Sequence, residues 1–353
     1  MARAEINTEL YFNWRKLDGY PQPFKFAIGP REPGKTTATW IKIWRRYSET
    51  HKPWIYLVRQ AVEITEALIE SIRDMITKFF DDVPEFQYIK GTFNDGIVDI
   101  KINGQIFIRI VSLNKKMRDI KLAVLQNVDG VYMDEYVVNP RMGEKYIKDE
   151  GNKIKEAYTT WRREAYGQLK CYFSANPYSL FNPLFVALGV NVGELRKGEV
   201  WTNGMIAVEW VVLTEGLREK LLRENPFYQF DEEYSEYALE GTAINDRNIK
   251  LGEQPQNFSL KFIFKASNKY IGVFKNNVYT EDSDRFYCKF ITDFSKYRTI
   301  YCYEFEELVE RAIVMSLDER MRLQRFKEAF RERKIAFENI NCYYFCEEIY
   351  KNI

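Results

Sequence analysis

Two clusters of residues carry side chains whose types and spacing suit reaction chemistry. Residues 27–40, AIGPREPGKTTATW, hold Gly29, four further residues, then Gly34, Lys35 and Thr36, which fits G-x-x-x-x-G-K-[ST]. In that pattern successive backbone N–H groups make an anion nest at the start of a helix, where the dipole adds positive potential. Lys35 would reach the β- and γ-phosphates of ATP, and Thr36, with Thr37 beside it, would present a hydroxyl to Mg²⁺. Pro30 and Pro33 have no N–H, so this nest has fewer donors than usual. The second cluster is VYMDEY, where Asp134 and Glu135 end an apolar run. Asp134 is placed to hold magnesium, and Glu135 to orient and deprotonate a water, which points to hydrolysis rather than transfer to an acceptor.

Three further groups have a functional and a plain structural reading. Ser174 and Asn176, in CYFSANP, end another apolar run. They either sense a γ-phosphate at the carboxyl ends of parallel strands or form an ordinary Asn-Pro turn. Arg162 and Arg163, in TWRREAYG, end a charged helical stretch. In ring-forming hydrolases an arginine there reaches a neighbour's γ-phosphate, whereas on an isolated helix it is merely solvated. Lys115, Lys116, Arg118 and Lys121 precede the acid strand. They form a solvated face, a second trans-acting group or a DNA-facing loop.

These residues need a scaffold, and the hydrophobic pattern supplies one. FKFAI (24–28) predicts a buried strand leading into the glycine loop, and Trp40, Ile43, Trp44 and Tyr47 recur at helical spacing after it. WIYLVRQ (54–60) reads as a strand and 63–80 as an amphipathic helix. In 96–112 an Asn-Gly joins two alternating runs, a hairpin signal. DGVYMDEY and LKCYFSANP add two more strands around a charged helix, so the first part reads as α/β with a mainly parallel sheet. MIAVEWVVL adds a strand, and 215–241 predicts two short helices broken at Pro226. Paired strands are expected from Asn257, another in KYRTIYCYEF, and two closing helices, one starting at ELVERAIVMSL and one running to Tyr350. The pattern divides into a P-loop domain over 1–212, a helical linker or lid over 213–250, and a second α+β domain over 251–353.

Composition sets bounds. At 353 residues, 46% hydrophobic and 29% charged, the chain suits two ordinary globular domains. A net charge of +1 gives no global field for a polyanion, so any basic surface is local. No apolar run approaches a membrane span, and the N-terminus is too polar for a secretion signal. Five scattered cysteines with one distant histidine, His51, make no zinc site and read as reduced thiols. No N-K-x-D guanine motif occurs: Asn114–Lys115 continues as Lys116–Met117.

FAIGPREPGKT, PWIYLVRQ, NVDGVYMDEY, and FSANP followed by FNPLF together resemble the DNA-packaging ATPases of small tailed phages, the phi-twenty-nine type. The likeness covers the first 200 residues, and the rest only by order of elements. It implies an additional-strand (ASCE-type) P-loop fold, with Arg31 matching a loop arginine and Lys121 an upstream lysine. The family's finger falls at Arg162 or Arg163. It further implies ATP and Mg²⁺, and a homopentameric ring at the phage portal with a prohead RNA, in host cytoplasm without membrane contact. The ring would translocate double-stranded DNA into the prohead. Its second domain would resemble an RNase H-type nuclease that has lost its active site. FSLKFIFKA (258–266) supplies Lys261 and Lys265 but no acid to seat two metals, while Asp282, Asp284 and Asp293 fall in later turns. Residues 311–334 carry eight cations against four anions, Arg322, Arg325 and Arg333 among them. Leu323, Phe326, Phe330 and Phe337 form an apolar stripe, leaving the cations either to nucleic acid or to solvent. Two alternatives stand beside this reading: a terminase-like ATPase with a live C-terminal nuclease, and a nucleotide-regulated DNA-binding module without turnover.

Overall fold

The computed structural model describes the chain except residues 1–9, 140–141, 181, 242–248, 267–268, 279, 281–282, 293–298, 303–311, 315–320, 322 and 353. Contacts divide it into two units, 1–245 and 246–353.

In the first unit the alternation read from sequence becomes β1 (Phe24–Ile28), α2 (Lys35–Thr50), β2 (Trp54–Val58) and α3 (Glu66–Thr77), after a short α1 (Arg15–Asp18). The hairpin β3 (Ile97–Ile102) and β4 (Gln105–Ser112) follows, turning through Asn103 and Gly104 at φ 50° and 79°. Both positive values suit the Asn-Gly pair that closes a two-residue hairpin. Next come α4 (Met117–Leu122), β5 (Gly130–Asp134), α5 (Glu150–Glu164), β6 (Lys170–Ala175), α6 (Pro183–Leu188), β7 (Val200–Thr202) and β8 (Ile206–Trp210).

The eight strands form one sheet in the order β3-β4-β2-β5-β6-β1-β8-β7. All neighbours from β4 through β8 run parallel, and only the edge strands β3 and β7 are antiparallel. Side chains alternate between two covered faces, as buried parallel strands require. Trp40 of α2 packs edge-on against Tyr56 and Tyr132, while Phe24 meets Tyr158 of α5 and Phe26 meets Phe185 of α6. Two glycines permit the close approaches. A Cβ on Gly151 would lie 2.3 Å from the Pro183 carbonyl oxygen, and one on Gly130 2.5 Å from the Trp54 ring. The stretch expected as two helices broken at Pro226 contains three, α7 (Glu215–Glu224), α8 (Phe227–Phe230) and α9 (Glu232–Ala238). Asp231 makes the second break, its side chain capping the Tyr234 N–H at 2.9 Å.

The second unit holds a seven-stranded sheet of β9 (Lys250–Leu251), β10 (Phe258–Ala266), β11 (Lys269–Asn276), β12 (Phe286–Ile291), β13 (Ile300–Cys302), β14 (Ala312–Val314) and β15 (Ile335–Phe337). Its order is β14-β13-β10-β11-β12-β15-β9. β10, β11 and β12 form an antiparallel meander, while β13 runs parallel to β10 and β14 parallel to β13. Two sequence expectations are corrected. The helix expected from ELVERAIVMSL contains a strand at Ala312–Val314, hydrogen-bonded to β13, and its other residues lie largely outside the described ones. Phe337 belongs to β15 rather than to the helical stripe; Leu323, Phe326 and Phe337 still share one core. Helices Gln324–Arg331 and Ile340–Asn352 pack on this sheet. Among the described residues no helix is long and apolar enough to cross a membrane, and all five cysteines are buried and unbridged.

Candidate active site

The glycine loop joins β1 to α2 at the carboxyl edge of the parallel sheet. Gly29 must be glycine, because a Cβ would lie 2.6 Å from the Val211 carbonyl oxygen beyond β8. Gly34 turns the chain into α2 with φ 83°, a conformation that glycine adopts at low cost. Thr36 and Thr37 fall in the first turn of α2, half-buried. Lys35 is buried, and its Nζ donates to the carbonyls of Gly29 at 3.1 Å and Pro30 at 2.5 Å and to Asn176 Oδ1 at 3.3 Å. Burial lowers its pKa to about 8, against the pull of Glu135 and Asp134.

β5 and β6 bring the remaining groups to the same edge. Ser174 Oγ donates to Asp134 Oδ1 at 2.6 Å and touches Tyr132 OH at 2.8 Å. Asn176 Nδ2 donates to Glu135 Oε1 at 2.9 Å. Glu135 itself has a left-handed φ of 49°, which a non-glycine residue adopts only when its surroundings hold it there. Glu135 is exposed at the surface, with one carboxyl oxygen held by Asn176. Desolvation within the site and the adjacent Asp134 raise its pKa to about 7.

What holds Glu135 in place is a residue that the sequence reading passed over. Arg59, just beyond β2, donates from Nη1 to the Glu135 carbonyl at 2.7 Å and from Nη2 to the Tyr136 carbonyl at 2.6 Å. Its Nε bonds both oxygens of Glu150, the first residue of α5, at 3.0–3.1 Å. Both side chains are buried, Glu150 at 1% exposure. The available signal was positional: Arg59, Ser112, Asp134 and Ser174 are polar residues closing apolar runs on parallel strands, where such sheets gather their ligands.

Other sequence candidates lie elsewhere in the units. Arg162 and Arg163 occupy the last turn of α5, exposed, and Arg162 lines a cavity of about 930 Å³ with Asp129, Lys170 and Trp54, at the amino edge of the sheet. α5 starts at the Arg59 clamp and is 15 residues long, so its arginines stand roughly 20 Å along the helix from that clamp. Lys115 hydrogen-bonds the Asp95 carbonyl, Lys116 precedes α4, and Lys121 pairs with Glu156 at 2.7 Å. Arg31 and the loop following it contact α8 and α9. In the second unit Arg325 and Arg333 are exposed, Asp284 pairs with Lys250 at 2.6 Å, and Arg322, Asp282 and Asp293 lie outside the described residues.

One strand, β6, separates the glycine-loop strand from the acid strand, in a mixed α/β fold whose large, mainly parallel sheet carries Asp134 at the end of β5 and Glu135 just beyond it, as in an ATPase domain. The chain belongs to the podovirus DNA encapsidation protein (Gp16) family, whose model matches residues 6–353. It is a phage DNA-packaging protein built on that ATPase domain. The bacteriophage Phi-29 viral genome packaging motor assembly is similar in fold, with a TM-score of 0.67, 18% identity, and coverage of 97% of this chain and 99% of that one. The Phi-28 gp11 DNA packaging motor gives a TM-score of 0.63 and 16% identity over 96% and 97% of the two chains. No curated protein matches by sequence.

Proposed function

We propose that this chain hydrolyses ATP and uses the cycle to drive double-stranded DNA into a prohead, working as a ring of identical subunits, a pentamer, at the portal. The observation that carries this reading is the Asn176 side chain, hydrogen-bonded to the Glu135 carboxylate and to Lys35 at once. It sets a general base beside the lysine that meets the transferred phosphate, the arrangement water-activated hydrolysis needs. Glu135 takes a proton from the attacking water, and Asn176 fixes the carboxylate's orientation. Gly29, Arg31, Gly34, Lys35, Thr36 and Thr37 form the phosphate cradle, with Ser174 holding Asp134.

Thr36 and Asp134 supply hard oxygen donors that suit Mg²⁺. Bound there, Mg²⁺ would neutralise charge developing between the β- and γ-phosphates. Arg162 and Arg163, at the far end of α5, are suited to serve a neighbouring subunit's site rather than their own. Lys115, Lys116 and Lys121 remain candidates for the DNA path or a second trans contact.

The second unit supports a binding role. A three-strand meander continued by two parallel strands, β12-β11-β10-β13-β14, is the strand order of an RNase H-type sheet. Its central strand, β10, bears no acid. We assign it as a nuclease-like domain that grips nucleic acid, packaged DNA or a prohead RNA, through Arg325 and Arg333 with Arg322 as a third candidate. The boundaries 1–212, 213–250 and 251–353 describe ATPase domain, linker and grip, and the working location is the prohead in the host cytoplasm. The test is ATP hydrolysis with and without linear duplex DNA. Stimulation by DNA without cutting supports the motor, while metal-dependent cleavage would favour a live nuclease instead.

A further inference from the structure

Behind Asp134 a file of buried polar side chains runs away from the phosphate loop through three elements. Asp134 and Tyr132 lie two residues apart on β5, so they share one face of the sheet, and Ser174 of β6 stands in register with Asp134. Ser174 Oγ lies 2.6 Å from Asp134 Oδ1 and 2.8 Å from the Tyr132 hydroxyl. That hydroxyl also meets the side chain of Thr39 on α2. Thr39 Oγ1 in turn accepts from the indole Nε1 of Trp14, just before α1, at 2.9 Å. Ser174, Tyr132 and Thr39 are fully buried, and Trp14 is 3% exposed. Trp14, Thr39 and Tyr132 have no part in the hydrolysis chemistry described above.

The two ends of the file fix the direction of the protons between them. A carboxylate only accepts and an indole N–H only donates. Ser174 has one proton, and the charged oxygen at 2.6 Å takes it. Tyr132, 2.8 Å from the same Oγ, must then be the donor, because two facing lone pairs would not hold that distance. With its one proton on Ser174, Tyr132 can only accept from Thr39. Thr39 Oγ1 also lies 2.8 Å from the Lys35 carbonyl, so its proton is shared between that carbonyl and Tyr132. The Tyr132 ring cannot drift, since it stacks on Tyr56 at 5.6 Å and meets the edge of Trp40 at 5.4 Å. At the site end, Asp134 Oδ1 accepts a second bond from Glu135 N at 3.0 Å. Both described hydrogen bonds to this carboxylate fall on Oδ1, which leaves Oδ2 for a cation.

We propose that Tyr132 is a positioning residue for Asp134: backed by Thr39 and Trp14, it directs the Ser174 proton onto Oδ1 and so turns Oδ2 toward the metal of a metal–nucleotide. This rests on the ATP and Mg²⁺ reading above.

The test titrates the full chain with a fluorescent, non-hydrolysable ATP analogue, in EDTA and at rising Mg²⁺. Tyr132→Phe, which keeps the ring contacts, should hold the affinity in EDTA within about twofold and raise the half-saturating Mg²⁺ about three- to tenfold, the worth of one hydrogen bond. Thr39→Val, of equal shape without the hydroxyl, should move the Mg²⁺ requirement the same way by a smaller factor. Ser174→Ala should raise it at least as far as Tyr132→Phe. Adding Tyr132→Phe to Ser174→Ala should change nothing more, because the directed proton is already gone. A tyrosine that only packs would weaken binding alike with and without Mg²⁺ and would add its loss to that of Ser174→Ala. If Tyr132→Phe fails to fold, Thr39→Val takes its place in both comparisons. An unchanged Mg²⁺ requirement in the variants that fold overturns the proposal, as does additivity with Ser174→Ala. If the unaltered chain binds the analogue no better with Mg²⁺ than in EDTA, the reading of Asp134 as the metal acid fails and the proposal with it. If it does not bind the analogue at all, the ATP reading itself fails.

Discussion

Asn176 joins the two charged groups of the site, donating to Glu135 Oε1 at 2.9 Å and accepting from Lys35 Nζ at 3.3 Å. Lysine only donates, so the amide oxygen must face Lys35 and the amide nitrogen the carboxylate. Asn176→Ala removes both contacts without touching the cradle. Steady-state kinetics should show kcat down roughly a hundredfold, the scale for losing one oriented polar group, with KM changed far less. An equal rise in KM would place Asn176 in nucleotide binding instead.

The pH dependence follows from two opposed shifts. Desolvation and Asp134 raise Glu135 to about 7, and burial lowers Lys35 to about 8. A base works as the anion and the phosphate lysine as the cation. For the free chain kcat/KM should therefore climb as Glu135 loses its proton and fall as Lys35 loses its own, giving a narrow bell. Stability runs the other way for Glu135. Its folded pKa exceeds the ordinary 4.5, so it favours the fold while protonated and weakens it as pH rises from 4.5 through 7. Glu135→Gln should raise the thermal midpoint at pH 8, with the gain vanishing toward pH 4.5.

Arg59 and Glu150 are a buried pair whose partners differ in what they hold. Arg59→Met strands the Glu150 charge and should lose about 3–5 kcal/mol in urea denaturation, whereas changing both to Met should recover much of it. Turnover should not recover in the double variant, because the Glu135 carbonyl has lost its donor and the φ of 49° its support. Restored kcat would make the pair purely structural.

These tests also mark what the sequence conveyed. The phosphate loop, Asp134–Glu135, Ser174 and Asn176 were legible because glycines, charges and strand ends fall at fixed short spacings. Arg59 and Glu150 were not, since 91 residues separate them and only the parallel sheet brings them together. The tyrosines around Arg31 come from a segment about 200 residues away. In the second unit, β14 and β15 are three-residue strands whose pairing depends on distant partners, so local periodicity favoured helix.

Arg162 and Arg163 end the helix that begins at the Arg59 clamp. With both changed to Ala, the chain should bind ATP yet hydrolyse it poorly. Mixing it with Glu135→Gln should restore some hydrolysis where an intact arginine meets an intact base. No recovery in assemblies shown to contain both chains would leave these arginines a cis or structural role.

The central claim is that Glu135 activates water against an ATP held by Lys35. The most direct measurement compares ATP binding with DNA-stimulated ATP turnover in Lys35→Ala and Glu135→Gln. Lys35→Ala should lose both. Glu135→Gln should bind ATP at least as well as the unaltered chain and turn it over roughly 10²–10⁴-fold more slowly. Turnover by Glu135→Gln at the unaltered rate would contradict the assignment of the base and the hydrolytic mechanism built on it.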